Sequence, residues 1–110
     1  MSERLFSYGT LQQTEVQQAS FGRLLKGAPD ALLGWRQEMV EITDPDVLAK
    51  SGKRHHPIVV PGGPDDRVPG MVFEITTEEL AAADRYEVAN YRRVAAKLVS
   101  GLTAWVYVKA

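Results

Sequence analysis

The second half of the chain is organised around one stretch, Ala83-Asp84-Arg85-Tyr86-Glu87-Val88-Ala89-Asn90-Tyr91-Arg92-Arg93. This stretch contains the end of a predicted short helix, a break, and the start of a predicted strand. Upstream, Thr76 and Glu79 have the spacing of a capping box, in which each side chain accepts a hydrogen bond from the other residue's backbone N–H group. We therefore predict a helix that begins at Thr76 or Thr77, continues through Leu80 and ends at about Tyr86.

Glu87 follows this helix, and helical geometry indicates which way its side chain points. A helix turns by about 100° per residue, so Glu87 comes within about 20° of the direction of Leu80. Glu78 and Arg85 fall on the opposite side, where solvent is expected. Because the apolar Leu80 marks the buried side, Glu87 is predicted to point inward.

An inward carboxylate is costly unless it is paired or faces a polar cavity, so two interpretations of Glu87 stay open. In the structural interpretation, Glu87 pairs with Arg93, or with Arg92 if the strand register differs, or it accepts a hydrogen bond from a tyrosine. In the functional interpretation, Glu87 faces a cavity and transfers protons.

A second candidate site lies near the N-terminus, in Tyr8-Gly9-Thr10-Leu11. Residues 4–8 are apolar and aromatic-rich, which predicts a short strand that stops at Gly9. Glycine lets a ligand approach the backbone closely, and successive N–H groups of such a turn can bind a carboxylate or a developing oxyanion. An ordinary turn explains the same four residues, so this pattern alone does not establish a site.

The rest of the chain predicts short strands separated by turns. A polar helix is expected over residues 10–20, with Val16 and Ala19 on one side and Phe21-Gly22 as its break. Strands are expected at residues 23–28, 31–43, 57–60, 68–76, 92–99 and 102–109, turns at 29–30, 61–66 and 100–101, and a polar loop at 44–56. The side chains expected to face the core from the last strand are Leu102, Ala104, Val106 and Val108.

The order of these elements predicts the fold class. Strands precede and follow the second helix without βαβ alternation, which is typical of an α+β domain. We predict a single domain over residues 1–110, with two or so short helices and a small, mixed, mostly antiparallel curved sheet or barrel.

Composition excludes several classes of protein. The 110 residues include 13 Lys and Arg against 14 Asp and Glu, and the net charge of −1 argues against a nucleic-acid or membrane-surface partner recognised by bulk charge. Cysteine is absent, which excludes disulfides and thiol catalysis. No signal peptide or membrane-spanning apolar run is visible, so we expect a small soluble cytoplasmic protein.

His55 and His56 suggest a metal or phosphate site at first sight. They are adjacent in a predicted loop, and no carboxylate stands beside them at metal-ligand spacing. We interpret them as part of a solvated loop, and we predict no metal and no cofactor.

Together, the N-terminal turn and the stretch around Glu87 resemble the γ-glutamylcyclotransferase-like superfamily, and in particular its bacterial AIG2-like (γ-glutamylamine cyclotransferase-like) branch. The resemblance rests on Tyr-Gly-Thr-Leu after the first strand and on the pattern Asp-x-Tyr-Glu-x-x-x-Tyr-x-Arg at residues 84–93. Residues 31–36, 68–75 and 104–108 also resemble segments of that family, so nearly the whole chain is covered.

The resemblance implies a fold, an activity and a set of site residues. The implied fold is a small mixed barrel with helices packed around it. The implied activity cyclises a γ-glutamyl group and gives 5-oxoproline and a free amine or amino acid. Glu87 matches the family's catalytic glutamate, and Tyr91 matches the tyrosine that follows it. The residues that match its substrate-binding turn are Tyr8, Gly9, Thr10 and Leu11.

A γ-glutamyl substrate carries its own nucleophile, the α-amine, and its own electrophile, the γ-carbonyl carbon. The protein then needs a base, hydrogen-bond donors for an oxygen, and a shape that folds the substrate on itself. Glu87 would take a proton from the ammonium and return it to the leaving amine, while Tyr91 would bond Glu87 or line the pocket. Backbone N–H groups of the N-terminal turn would hold the substrate carboxylate or the oxyanion.

Val88 departs from the family pattern, because many members have glycine directly after the catalytic glutamate. A β-branched residue does not take positive φ comfortably, so the pose of Glu87 is affected if the family's glycine uses that conformation. The rival hypothesis is a small-molecule binding or regulatory module that keeps the pocket without turnover. The sequence identifies neither the leaving group nor the oligomeric state.

Overall fold

The computed structural model describes residues 2–41, 45, 55–86 and 91–109. In chain order the elements are β1 (Ser2–Ser7), a 3₁₀ turn (Thr10–Gln12), α1 (Thr14–Phe21), β2 (Lys26–Leu33), β3 (Trp35–Glu41), β4 (His55–Pro61), β5 (Arg67–Thr76), α2 (Thr77–Tyr86), β6 (Tyr91–Lys97) and β7 (Thr103–Lys109). None of the described helices is long and apolar enough to cross a membrane.

Five of these strands form one mixed sheet in the order β2-β5-β1-β7-β6, and β3 pairs with β4 in a separate two-stranded sheet. Neighbouring strands are antiparallel except β1 and β7, which run parallel with Leu5 opposite Trp105. An isolated bridge between Leu32 and Leu98 joins β2 to the chain just after β6, so the sheet curves towards closure. The predicted α+β architecture with a mixed, mostly antiparallel curved sheet is confirmed.

The large sheet separates two hydrophobic cores. Alternate residues of a strand point to opposite faces, so Leu5 and Phe6 of β1 enter different cores, and both are almost fully buried. The core on the Phe6 side contains Leu32, Val59, Val68, Val72, Leu98, Ala104, Val106 and Val108. The core on the Leu5 side contains Phe73, Ile75, Tyr107 and, from α2, Leu80 and Ala83.

The start of α2 is fixed by the predicted capping box. The Glu79 backbone N–H donates to Thr76 Oγ1 at 3.0 Å, and the Thr76 N–H donates to Glu79 Oε1 at 2.8 Å. Leu80 is buried while Glu78 and Arg85 are exposed, as the helical register predicts. The helix ends at Tyr86, also as predicted.

The prediction of a turn at Pro29-Asp30 was wrong. Both residues lie inside β2, and the chain turns instead at Gly34, whose φ of 82° suits glycine. Proline has no N–H to give to a ladder and is tolerated on an edge strand, and β2 is the outermost strand beside β5.

Three other local predictions also need correction. In α1 the buried residue is Gln17, while Ala19 is exposed and Val16 is only half-buried. Leu102 precedes β7 and is exposed rather than buried in the core. His55 and His56 belong to β4 rather than to a loop, and most of the predicted loop at 44–56 lies outside the described residues.

Candidate functional site

The predicted substrate-binding turn follows β1 directly. Thr10–Gln12 form a 3₁₀ turn, closed by a hydrogen bond from the Gln12 N–H to the Gly9 carbonyl oxygen at 3.2 Å. The first N–H groups of a helical turn have no acceptor within that turn, so it offers the amides of Thr10 and Leu11 as donors. The Gly9 N–H faces Ser7 Oγ at 3.4 Å, a long contact.

Gln17 of α1 forms hydrogen bonds that hold this turn in place, a role that its sequence context does not indicate. Its Nε2 donates to the Leu11 carbonyl oxygen at 2.9 Å, and its Oε1 accepts from the Leu25 N–H at 2.9 Å. Gln17 is 4% exposed, so both polar ends of a buried amide are satisfied by backbone groups. The turn is therefore attached to α1 through one side chain.

Pro57 of β4 brings the turn and Tyr91 together. A side chain at Gly9 would place its Cβ 3.3 Å from Pro57 Cγ, so glycine permits this close approach. On its other side, the Pro57 carbonyl oxygen accepts a hydrogen bond from the Tyr91 hydroxyl at 2.7 Å. Sequence reasoning placed Pro57 in a strand and assigned it no contact with the site.

Strand directions explain why these residues meet. The turn follows the end of β1, and β7 runs parallel to β1, so Tyr107 near the end of β7 lies at the same end of the sheet. β6 is antiparallel to β7, and its first residue, Tyr91, lies opposite Lys109. The turn, Tyr107 and Tyr91 therefore all lie at the same end of the large sheet.

Tyr107 contacts both halves of the candidate site. Its backbone carbonyl oxygen accepts the Tyr8 hydroxyl at 2.5 Å, and its own hydroxyl donates to Asp84 Oδ1 of α2 at 2.8 Å. One residue of β7 thereby connects the N-terminal turn to the last turn of α2.

Arg93 is bound to Asp84 and to Trp105. Its Nε donates to Asp84 Oδ1 at 2.9 Å, and its guanidinium lies 4.4 Å from the centre of the Trp105 ring, which is cation–π geometry. Trp105 Nε1 in turn donates to Glu3 Oε1 at 3.1 Å. Among the described residues, the arginine proposed as a structural partner of Glu87 therefore pairs with Asp84.

Glu87 and Val88 lie outside the described residues, so the predicted roles of both stay predictions. In the sequence Glu87 directly follows Tyr86, the last residue of α2, and stands three residues after Asp84. The contacts of Asp84 are therefore the nearest description of how the chain approaches Glu87.

At the N-terminal end of α2, Glu79 forms an ion pair with Arg23. Arg23 donates from Nε to Glu79 Oε2 and from Nη2 to Glu79 Oε1, both at 2.7 Å. These bonds lower the pKa of the Glu79 carboxyl below its usual value, against the opposing effect of burial. The helix is thus held by charged side chains at both ends, and this pair lies at the end away from Asp84.

An open groove of about 400 Å³ lies away from the turn, near the start of β1. Its lining residues are Arg4, Lys26, Gly27, Ala28, Val72, Glu74 and Leu102. None of them is a predicted site residue. Within the described ranges, no group of three or more His, Asp or Glu side chains is arranged to hold a metal ion.

Comparison with known proteins identifies the family. Residues 5–110 match the family model described as gamma-glutamyl cyclotransferase, AIG2-like. No curated protein sequence matches the chain.

Several solved structures share the fold. A protein from Arabidopsis thaliana is 22% identical with a TM-score of 0.78, and the match covers 99% of this chain but only 62% of that one. A protein named gamma-glutamyl cyclotransferase is 16% identical with a TM-score of 0.79, over 100% of this chain and 68% of that one. A Pyrococcus horikoshii protein is 21% identical with a TM-score of 0.68, over 97% and 77%. This chain therefore spans under two thirds of the Arabidopsis protein.

Proposed function

The chain belongs to the gamma-glutamyl cyclotransferase, AIG2-like family, and from this premise we propose that it cleaves a γ-glutamyl amide by intramolecular cyclisation. The substrate's α-amine attacks its γ-carbonyl carbon, and a new C–N bond closes the five-membered ring. The original amide C–N bond breaks, and the nitrogen that leaves takes up a proton. The products are 5-oxoproline and a free amine or amino acid.

The observation that carries this proposal is the meeting of the N-terminal turn, Tyr91 and the end of α2. Gly9 and Tyr91 both contact Pro57, and Tyr107 bonds both Tyr8 and Asp84. The residues of the N-terminal turn, Asp84 and Tyr91 belong to the family-like motifs, which stand at widely separated positions of the sequence. Their convergence at one end of the sheet supports a common site, because an ordinary turn and an ordinary helix end have no need to meet.

Each group has a distinct role in the proposed reaction. Glu87 accepts a proton from the substrate ammonium and returns it to the leaving nitrogen. An ordinary glutamate is a weak base for an ammonium group, and an environment that raises the Glu87 pKa would reduce this mismatch. The amides of Gly9, Thr10 and Leu11 hold the substrate carboxylate or the oxyanion.

Tyr91 serves this site through position. Its hydroxyl donates to the Pro57 carbonyl oxygen at 2.7 Å, so it connects β6 to the residue of β4 that lies close to Gly9. The protein supplies no nucleophile and needs none, since substrate geometry and proton transfer account for the reaction. The candidate substrates compatible with this proposal include γ-glutamyl amino acids, glutathione-like peptides, γ-glutamyl-lysine and γ-glutamyl amines.

Val88 favours one alternative function, a binding or regulatory module that keeps the pocket without turnover. A glycine-to-valine change after the catalytic glutamate restricts the backbone at this position. Such a module would bind a γ-glutamyl compound and release no 5-oxoproline.

The deciding experiment measures 5-oxoproline release from a panel of γ-glutamyl compounds. It compares the native protein with Glu87→Gln, which keeps the side-chain shape and removes the base. Glu78→Gln is the matched control, because Glu78 lies on the exposed side of α2. We expect turnover in the native protein and the control, and a loss of at least about 10²-fold in Glu87→Gln.

Other outcomes are equally decisive. Turnover that survives Glu87→Gln would mean that another group is the base. Binding of a panel compound without turnover by the folded native protein would establish the binding module instead.

A further inference from the structure

Asp84 accepts two hydrogen bonds on a single oxygen atom. Tyr107 and Arg93 are cross-strand partners in the β6–β7 ladder, and their side chains share one face of the sheet. Both reach Asp84 Oδ1, the Tyr107 hydroxyl at 2.8 Å and the Arg93 Nε at 2.9 Å. We call Asp84, Arg93 and Tyr107 the Asp84 clamp.

The clamp acts on the last turn of α2, where helices fray. Residues near a helix end lack part of the backbone hydrogen bonding of the interior, so their position depends on side-chain contacts. Leu80 and Ala83 already anchor the buried side of α2, and the Arg23–Glu79 pair anchors its first turn. The clamp in addition fixes the position of the last turn of α2, which directly precedes Glu87 in the sequence.

Solvent exposure indicates that the Asp84–Arg93 ion pair of the clamp contributes little to overall stability. The Asp84 side chain is 39% exposed and that of Arg93 is 27% exposed, so water screens their attraction. A contact with little stabilising value at the end of a helix is better explained by what it positions. Tyr107 strengthens this explanation because its carbonyl oxygen also receives the Tyr8 hydroxyl.

We propose that Asp84 and Tyr107 are positioning residues, which fix the last turn of α2 relative to the amide donors of the N-terminal turn, and that this placement governs proton transfer by the glutamate that follows the helix in the sequence. This inference rests on the proposed cyclotransferase function. Asp84 acts through the helix end that it holds, and Tyr107 connects that end to the turn. A base displaced by about 1 Å loses up to about 10²-fold in rate, so the clamp sets kcat.

The test removes the clamp one contact at a time. Tyr107→Phe deletes the hydroxyl donor and keeps the carbonyl that binds Tyr8. Asp84→Ala removes the acceptor, whereas Asp84→Asn keeps an acceptor oxygen. Glu79→Gln is the control on the same helix, because glutamine keeps the capping box and weakens only the contact with Arg23.

We expect kcat for 5-oxoproline release to fall about 10- to 100-fold in Tyr107→Phe and Asp84→Ala, with KM changed less than about threefold. Asp84→Asn should recover part of this loss, and Glu79→Gln should leave kcat unchanged. A purely structural role predicts instead that kcat follows the loss of folded protein, without rescue by asparagine. Unchanged kcat in Tyr107→Phe and Asp84→Ala, or a change confined to KM, would overturn the inference.

A second measurement separates this inference from the proposed function. If the native protein releases no 5-oxoproline, the proposed function fails, and backbone amide exchange at residues 83–86 then decides whether the clamp exists. Exchange at least about tenfold faster in Tyr107→Phe than in the native protein supports a clamp at the helix end. Equal exchange in the two proteins overturns it.

Discussion

Replacing Gly70 with alanine should destabilise the fold and disturb the binding turn together. Gly70 lies in β5 beside β1, and a Cβ at this position would collide with the Ser7 carbonyl oxygen and lie 2.8 Å from Phe6 Cζ. The Ser7 carbonyl oxygen belongs to the backbone and cannot move away by a change of side-chain rotamer, so β1 itself must shift. Ser7 is the last residue before the turn that begins at Tyr8.

The cost follows from that geometry. Overpacking a well-filled core costs about 1–3 kcal/mol, and an obstacle of backbone atoms favours the upper part, about 2–3 kcal/mol. With a urea m-value of about 1–3 kcal/mol/M for a small domain, the unfolding midpoint should fall by about 0.7–3 M. Because the shift reaches the turn, KM for a γ-glutamyl substrate should rise in the same variant.

Urea unfolding followed by circular dichroism measures this change. Gly63→Ala is the matched control, since a Cβ there meets only Asp66 Oδ2 at an ordinary 3.7 Å. That control should remain within about 0.5 kcal/mol of the native protein. A Gly70→Ala protein as stable as Gly63→Ala would refute the close approach of β5 and β1 at Ser7.

Two further predictions concern the Arg23–Glu79 ion pair and the Tyr91 hydroxyl. Arg23→Gln should lower stability at neutral pH and have no effect at low pH. The pKa of Glu79 is lowered in the folded state, so its stabilising contribution is present above the usual carboxyl pKa and is lost as pH falls through the folded value. Thermal unfolding of both proteins between pH 3 and 7 checks this, and parallel curves would contradict it. Tyr91→Phe should cost about 1 kcal/mol in urea unfolding, because the Pro57 carbonyl loses its donor. Unchanged stability would contradict a stabilising role for this hydrogen bond.

Local signals in the sequence were sufficient for α2. The Thr76 and Glu79 capping box needs only residues three apart, and Leu80 shows its buried side by its apolar character. The α+β class and the curved sheet were also predictable, because they follow from the order of strands and helices along the chain.

Contacts between distant residues were not predictable in this way. Gln17 looks like a surface residue of a polar helix, and only the fold places it between Leu11 and Leu25. Pro29 reads as a turn because local propensity cannot show that β2 is an edge strand. The same limit applies to the candidate site, where the family motif indicated the residues but not the contacts that join them.

The parallel pairing of β1 and β7 places the binding turn and Tyr107 at one end of the sheet, so the proposed mechanism depends on the distance between the turn and the end of α2. Three variants test binding, proton transfer and relative placement separately. Because the substrate contains both the nucleophile and the electrophile, the protein needs only to bind it, to transfer protons and to place the base correctly relative to the hydrogen-bond donors. Gly70→Ala disturbs the binding turn and should raise KM, while Glu87→Gln removes the base and should abolish kcat. Tyr107→Phe keeps both the amide donors and the base, so a loss of kcat with unchanged KM would indicate a change in their relative placement. If the three variants gave the same kinetic change, the turn, the base and the clamp would not be separate parts of one site.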